Sequence, residues 1–178
     1  LGVIFQHAPY ALATRQWSET PDIRQLIGKR VMLGPISLPL NHADELAAYL
    51  KREGVRPEQL QRVEHTYHPV DLINGRVDAM AIHTTNETDY LGRAGFPYDI
   101  HNPRAAGVDF YGDNLFTSEH ELDAHPERVK AFRAASLRGW QYAMSHQEEI
   151  ADLILAKYSR RHDRRHRFRD HGPDRPAR

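Results

Sequence analysis

Between residues 22 and 105, runs of strand length and runs of helix length take turns, and this alternation leaves few folds open to the chain. DIRQLIGKRVMLG (22–34) predicts one helical turn, a stop at Gly28 and a short buried strand over residues 30–33. In HADELAAYLKREGV, after the loop GPISLPLN, Leu46, Tyr49 and Leu50 recur at i, i+3 and i+4; Asn41 is the N-cap candidate and Gly54 the stop. LQRVEHTYH (60–68) alternates apolar and polar residues like a strand, and PVDLINGR (69–76) reads as a short helix with proline at its start. VDAMAIHT (77–84) is an apolar strand, TNETDYLGRAG (85–95) a helix closed by Gly95, and FPYDIHNP a further strand. This rhythm predicts an α/β domain with a largely parallel sheet.

The flanks read differently. GVIFQHAPYALAT (2–14) is a strand pattern interrupted near Pro9. PERVKAFRAASLRGWQYAMSH predicts a long helix whose Val129, Phe132, Ser136, Trp140 and Ala143 share a stripe, placing Trp140 in a core. Ser145 and Glu148 fit a capping box for QEEIADLILAKY, with Ile150, Leu153 and Ile154 on one face. After Tyr158 the apolar pattern stops; residues 159–178, with eight Arg against three Asp, are expected to be a disordered Arg/His-rich tail.

Several chemistries are disfavoured. With 24 basic and 24 acidic side chains, the chain as a whole is no polyanion binder; the Arg-dense tail lacks interleaved aromatics, so nucleic acid is not an expected partner. The absence of Cys removes disulfides, thiolate metal sites and a Cys nucleophile. No apolar run approaches the roughly twenty residues that cross a bilayer, so no membrane insertion is expected from this segment. His120 and His125 resemble the zinc motif HExxH with one residue too many; five helical steps leave the two rings roughly 140° apart. His65 and His68 fall on opposite faces of a predicted strand, and the His162–His166 pair sits among arginines. Ser37 and Ser136 lack the G-x-S-x-G context of an activated serine. No metal, cofactor or catalytic residue is therefore expected.

The polar cluster Thr84-Thr85-Asn86-Glu87 directly follows an apolar strand, and ligands of open parallel sheets bind beyond the carboxyl ends of their strands. The same spacing fits a capping box from Thr84 to Glu87. GPISLP is no phosphate loop, yet it can present backbone N–H groups at a helix N-terminus; an ordinary strand-to-helix connection fits it equally. In VDFYGDNLFTSEHELDAHPERV an aromatic-acidic knot, Asp109 to Asp113, precedes a capping box (Ser118, Glu121) and a helix start at Pro126.

GKRVML, LINGRVDAMAIHTTNE, GVDFYGDNLFTSE and HPERVKAFRAASLRGWQYAMSHQEEIADLILAKYS together resemble the substrate-binding family of nitrate, sulfonate, taurine and thiamine-precursor ABC transporters, which includes the fungal thiamine pyrimidine synthases. The resemblance implies an α/β, type II periplasmic-binding-protein-like fold, with two lobes joined by hinge strands and closing on a small ligand. It implies one complete α/β lobe plus hinge strands and part of the other lobe. Residues 1–21 would be the end of the first lobe and a hinge strand, 22–105 the second lobe, and 106–158 the return strand and first-lobe helices, with further first-lobe residues ahead of Leu1. Ligand-binding candidates carried over by position are Gln6, His7, Gly34, Ser37, Asn86, Glu87, Asp109 and Tyr111. Tyr111 would stack on a flat ligand while Glu87 or Asp109 binds an amine or amidine-like edge. The synthases use a Cys-rich motif that this sequence lacks, so a binding module rather than an enzyme is expected. It would be periplasmic, partnered by a small-molecule ligand and by an ABC permease. FYGDNLFTSE with ASLRGW also resembles sensor modules of histidine kinases and diguanylate cyclases, which leaves a fused signalling domain as the alternative partner.

Overall fold

A computed structural model describes residues 1–16, 22–34 and 45–158. They fall into two compact units, one of Val3–Asp113 and one of Leu1–Gly2 with the residues from Asn114 onward. Short strands β1 (Gly2–Val3) and β7 (Asn114–Leu115) mark where the chain passes from one to the other.

The unit Val3–Asp113 is built on a five-stranded sheet of β2 (Tyr10–Arg15), β3 (Arg30–Met32), β4 (Gln61–Arg62), β5 (Ala79–His83) and β6 (Tyr98–His101), in the spatial order β4-β3-β5-β2-β6. β3 runs parallel to β4 and to β5, with Val31 opposite Ala79 and Met32 opposite Met80. β2 runs antiparallel to both neighbours, Tyr10 facing His83 of β5 and Leu12 facing His101 of β6. Four of the five strands thus run one way, as expected of a largely parallel sheet, and β2 alone runs against the direction of the βαβ units.

Helices α1 (Glu45–Arg52), α2 (Val70–Ile73) and α3 (Glu87–Arg93) connect the strands. Strand side chains alternate between faces, and both faces here are covered. One core joins Leu12, Val31, Ala79 and Ala81 to Leu46, Tyr49 and Leu50, the predicted apolar stripe of α1. The other joins Ala11, Ala13, Met32, Met80 and Ile82 to Leu72, Leu91 and Phe96. Leu50 is fully buried, so truncating it to Ala would cost about 2–5 kcal/mol. Burial pushes the Tyr49 phenol up to about 12, with the charges of Glu53 and Asp22 adding to the shift.

The strand expected over residues 60–68 is cut short. Val63 N–H still donates to Val31 O, but beyond it the chain leaves the sheet. The side chains of His65 and Thr66 take backbone and carboxylate partners that a strand would not offer, and local bonds of this kind compete with a ladder.

The second unit contains α4 (Glu119–Ala124), α5 (Pro126–Ser145) and α6 (Gln147–Lys157). Ser118 Oγ accepts from Glu121 N–H, the expected cap, and Pro126 opens α5 as predicted. Glu121 completes no box; its carboxylate accepts from Arg128 Nε and Nη2 at 2.7 and 2.9 Å. Two further sequence expectations fail here. Val129 is buried, but Trp140 on the same stripe is 42% exposed and Phe132 more so. The three helices alone cannot enclose that stripe. Ser145 caps nothing on α6: its hydroxyl bonds back to Gln141 O and Tyr142 O at the end of α5. Asn41, Ser37 and residues 159–178 lie outside the described residues. Among the described residues no helix is long and apolar enough to cross a membrane.

Candidate functional site

The strand order creates a switch point. From β3 the chain crosses through α1 to β4 on one side, then through α2 to β5 on the other side of β3. From β5 the chain goes on through α3 to β6 on the far side, so the connections of the neighbouring strands β3 and β5 lead in opposite directions. Ligands of such sheets bind at the carboxyl ends of strands at such a point. Gly34 lies two residues beyond β3 on this edge, and the turn Thr84–Asn86 lies just beyond β5.

The turn is tied down at both ends. Thr84 N–H donates to Pro9 O, which extends the β2–β5 pairing by one step. Glu87, the first residue of α3, accepts from His83 N–H at 2.8 Å through one carboxylate oxygen and from Asn86 Nδ2 at 3.0 Å through the other. Thr84 contributes no cap; instead its carbonyl accepts from Thr88 Oγ1 at 2.7 Å. Asn86 and Glu87 are thus brought together, each partly buried, with the carboxylate held facing the end of β5. The expected capping box is replaced by this inward-turned carboxylate.

Gln6 and His7 precede β2, where the chain runs beside residues 109–113. Ala8 N–H donates to Phe110 O, Gly112 N–H to Phe5 O, and Ile4 N–H to Asp113 O. This pairing sets His7 against Asp109: His7 Nδ1–H donates to both carboxylate oxygens, at 2.9 and 3.0 Å. Arg104 Nε stands 3.6 Å from the same carboxylate. With Nδ1 committed to Asp109, His7 Nε2 is left as the outward nitrogen, able to accept from a ligand when neutral and to donate when charged. Phe110 N–H donates to Glu45 Oε1 at 3.4 Å, which joins this segment to the start of α1. Tyr111, two residues beyond Asp109, is 64% exposed. Gln6 is exposed next to His7. Of the eight expected residues, Ser37 alone lies outside the described residues.

Other side chains at this edge carry no sequence signal for a site. Tyr10, at the start of β2, is 44% exposed and meets His83 edge to face, with ring centroids 4.4 Å apart. The loop after β4 reaches over the end of β3: His65 Nε2–H donates to Ala81 O of β5 at 2.8 Å, and His65 Nδ1 accepts from Tyr67 N–H at 3.0 Å. Those two bonds fix the tautomer of a buried imidazole. Thr66 Oγ1–H donates to the buried carboxylate of Asp71 at 2.6 Å. Between these anchors Tyr67 takes φ 58°, the left-handed region, as does no other described residue except glycines. For a side chain this large, that conformation costs about 1–2 kcal/mol. His120 and His125 are exposed, and among the described residues no group of three or more His, Asp or Glu could hold a metal ion.

Comparison with solved structures gives the same architecture. The periplasmic aliphatic sulphonate binding protein SsuA from Escherichia coli aligns with a TM-score of 0.62 at 13% identity, over 85% of this chain and 50% of its own. The periplasmic sulfonate-binding protein SsuA of a putative sulfonate ABC transporter from Methylobacillus flagellatus KT aligns at 0.58 and 19% identity, over 84% and 44%. The alkanesulfonate-binding protein SsuA from Xanthomonas axonopodis pv. citri, bound to MOPS, aligns at 0.51 and 15% identity, over 86% and 66%. The fold is type II periplasmic-binding-protein-like, and the chain spans about half the length of the first of these proteins. No curated protein sequence matches it. The family described as NMT1/THI5 like matches residues 1–150, most of the chain, and the protein belongs to that family.

Proposed function

We propose that this protein is a substrate-binding module that captures a small nitrogen- or sulfur-containing metabolite for ABC import. Its ligand is of the thiamine pyrimidine precursor, sulfonate or taurine, or nitrate class. The observation that carries the reading is the grouping at the carboxyl edge of one sheet. There the His7–Asp109 pair and Tyr10 stand at the start of β2, Glu87 stands just past the end of β5, and the exposed Tyr111 is two residues from Asp109. Family membership and the sulfonate-binding neighbours support the same reading.

Binding rather than catalysis suits these groups. The dyad presents one imidazole nitrogen and no activated nucleophile, while flat rings and a fixed carboxylate suit recognition of a planar or amine-bearing edge. On this reading residues 22–105 form the second lobe, flanked by crossing strands, and the protein acts outside the cytoplasm beside a permease.

Thermal shift tests it with four probes: an aminopyrimidine, taurine, an alkylsulfonate and nitrate. One of them should raise Tm in a concentration-dependent way, by the mass action of a ligand that binds only the folded state. No shift with any probe, together with no change in any binding signal on Glu87→Ala or Tyr111→Ala, would overturn the assignment.

A further inference from the structure

We infer that Tyr67 is a ligand-contacting, specificity-determining residue of the site proposed above, an inference that rests on that reading. The loop after β4 lies at the same carboxyl edge as Gly34 and the Thr84–Glu87 turn, since β3, β4 and β5 all run parallel. Because β3 stands between β4 and β5, the bond from His65 to Ala81 carries this loop across the end of β3, over the switch point itself.

The loop is built to hold one side chain out. His65 is buried and bonded at both ring nitrogens, and Thr66 is bonded to buried Asp71 and also accepts from His68 N–H. Asp71 is itself paired with Arg76. These anchors over-determine the backbone, which is the condition under which a strained residue persists. The residue that carries the strain is 59% exposed, with its ring 4.4 Å from the His65 ring and tilted 37° to it. A glycine or asparagine would occupy this conformation at lower cost. Packing does not explain the tyrosine, since most of its surface faces solvent. An aromatic ring propped on a fixed imidazole above the switch point supplies a preorganised flat face for a ligand. His68 and Tyr90, edge to face at 6.4 Å, continue the aromatic surface toward α3.

Tyr67→Gly, Tyr67→Asn and Tyr67→Phe separate this role from a structural one. Calorimetric titration of the whole chain uses taurine, an alkylsulfonate, nitrate and an aminopyrimidine, with Tm measured on the same samples. Gly and Asn should leave Tm unchanged or raise it while weakening the best probe by about tenfold, the scale of a lost aromatic contact. Phe, which keeps the ring, should bind within about twofold of the wild type. Wild-type-like affinity in both Gly and Asn variants, with binding by the wild type intact, overturns the role of Tyr67 alone. A wild type that binds none of the four overturns the binding reading and the role of Tyr67 with it.

Discussion

A Cβ placed on Gly112 would stand 2.8 Å from the Cβ of Phe5, closer than side chains approach in folded proteins. The same atom would lie 3.3 Å from His7 O and 3.5 Å from Ala8 Cα, all backbone or near-backbone atoms that cannot swing away. The glycine of the FYGD motif is therefore required by contact, where the segment 109–113 lies against residues 5–8. Gly112→Ala should lose about 1–3 kcal/mol in urea unfolding, as overpacking does. Gly139→Ala is the matched control: nothing lies within 4 Å of it on α5, and gaining helix propensity should raise stability by about 0.5–1 kcal/mol. Equal effects of the two would show that the close approach to Phe5 carries no weight.

The His7–Asp109 pair should matter to ligands far more than to stability. Both side chains are more than a third exposed, and ion pairs in that setting contribute less than about 1 kcal/mol. Asp109→Asn and His7→Ala should each leave Tm nearly unchanged, yet weaken the best-binding probe by about tenfold, the worth of one bond to a charged group. If the imidazole acts only in the orientation set by Asp109, the double variant should bind no worse than the weaker single one. Additive losses in this cycle would mean that the two residues act independently.

Much of the sheet is legible in the sequence because β2, β3 and β5 are short and mostly apolar runs. β3, β5 and β6 stand close to where the pattern puts them, and so does α1 with its Leu46–Tyr49–Leu50 stripe. HTYH is not legible. It alternates like a strand, but His65 and Thr66 spend their polar atoms on Ala81, distant in sequence, and on Asp71 in the next turn. Nothing in a tyrosine announces a positive φ. Trp140 teaches the converse: a stripe at helical spacing identifies a face and is silent about what covers it. Position relative to strand ends is enough to put Gly34, Asn86 and Glu87 just past β3 and β5, where the structure has them. The meeting of His7 with Asp109, residues a hundred positions apart, follows only from the resemblance and the pairing of their segments.

Arg30 and Asp78 fasten the start of β3 to the start of β5. Asp78 accepts from Arg30 N–H at 2.9 Å and from its guanidinium at 3.1 Å, while Arg30 Nη2 also donates to Gly75 O. The Arg30 side chain is well exposed, so most of the loss in Asp78→Ala should come from leaving the backbone N–H without its acceptor, about 1–3 kcal/mol. Burial works to raise the Asp78 pKa, but the hydrogen bonds and charge of Arg30 hold it below its ordinary 3.8. The folded state therefore binds protons less readily than the unfolded one. The stabilisation is present above pH 3.8 and is lost as pH falls through the lower folded value. Asp78→Ala should be less stable near neutrality and lose less on acidification; an unchanged acid limb would refute the linkage.

His101 makes a second, higher window. It lies on β6 at 8% exposure, with Nε2 3.3 Å from the hydroxyl of buried Thr14. Burial lowers its pKa below the ordinary 6.5, while the charges of Asp99 and Asp22 pull the other way without prevailing. The unfolded chain then takes up this proton first. Stability should be full above pH 6.5 and fall as pH drops through the lower folded value. His101→Gln keeps a hydrogen-bonding group for Thr14 and cannot titrate, so its urea midpoint should fall less than that of the wild type between about pH 7.5 and pH 5. The comparison concerns the difference between the two pH values, so a uniform loss from the substitution itself does not enter. An identical drop in the two proteins would place the pH dependence in other histidines and leave His101 a packing residue only.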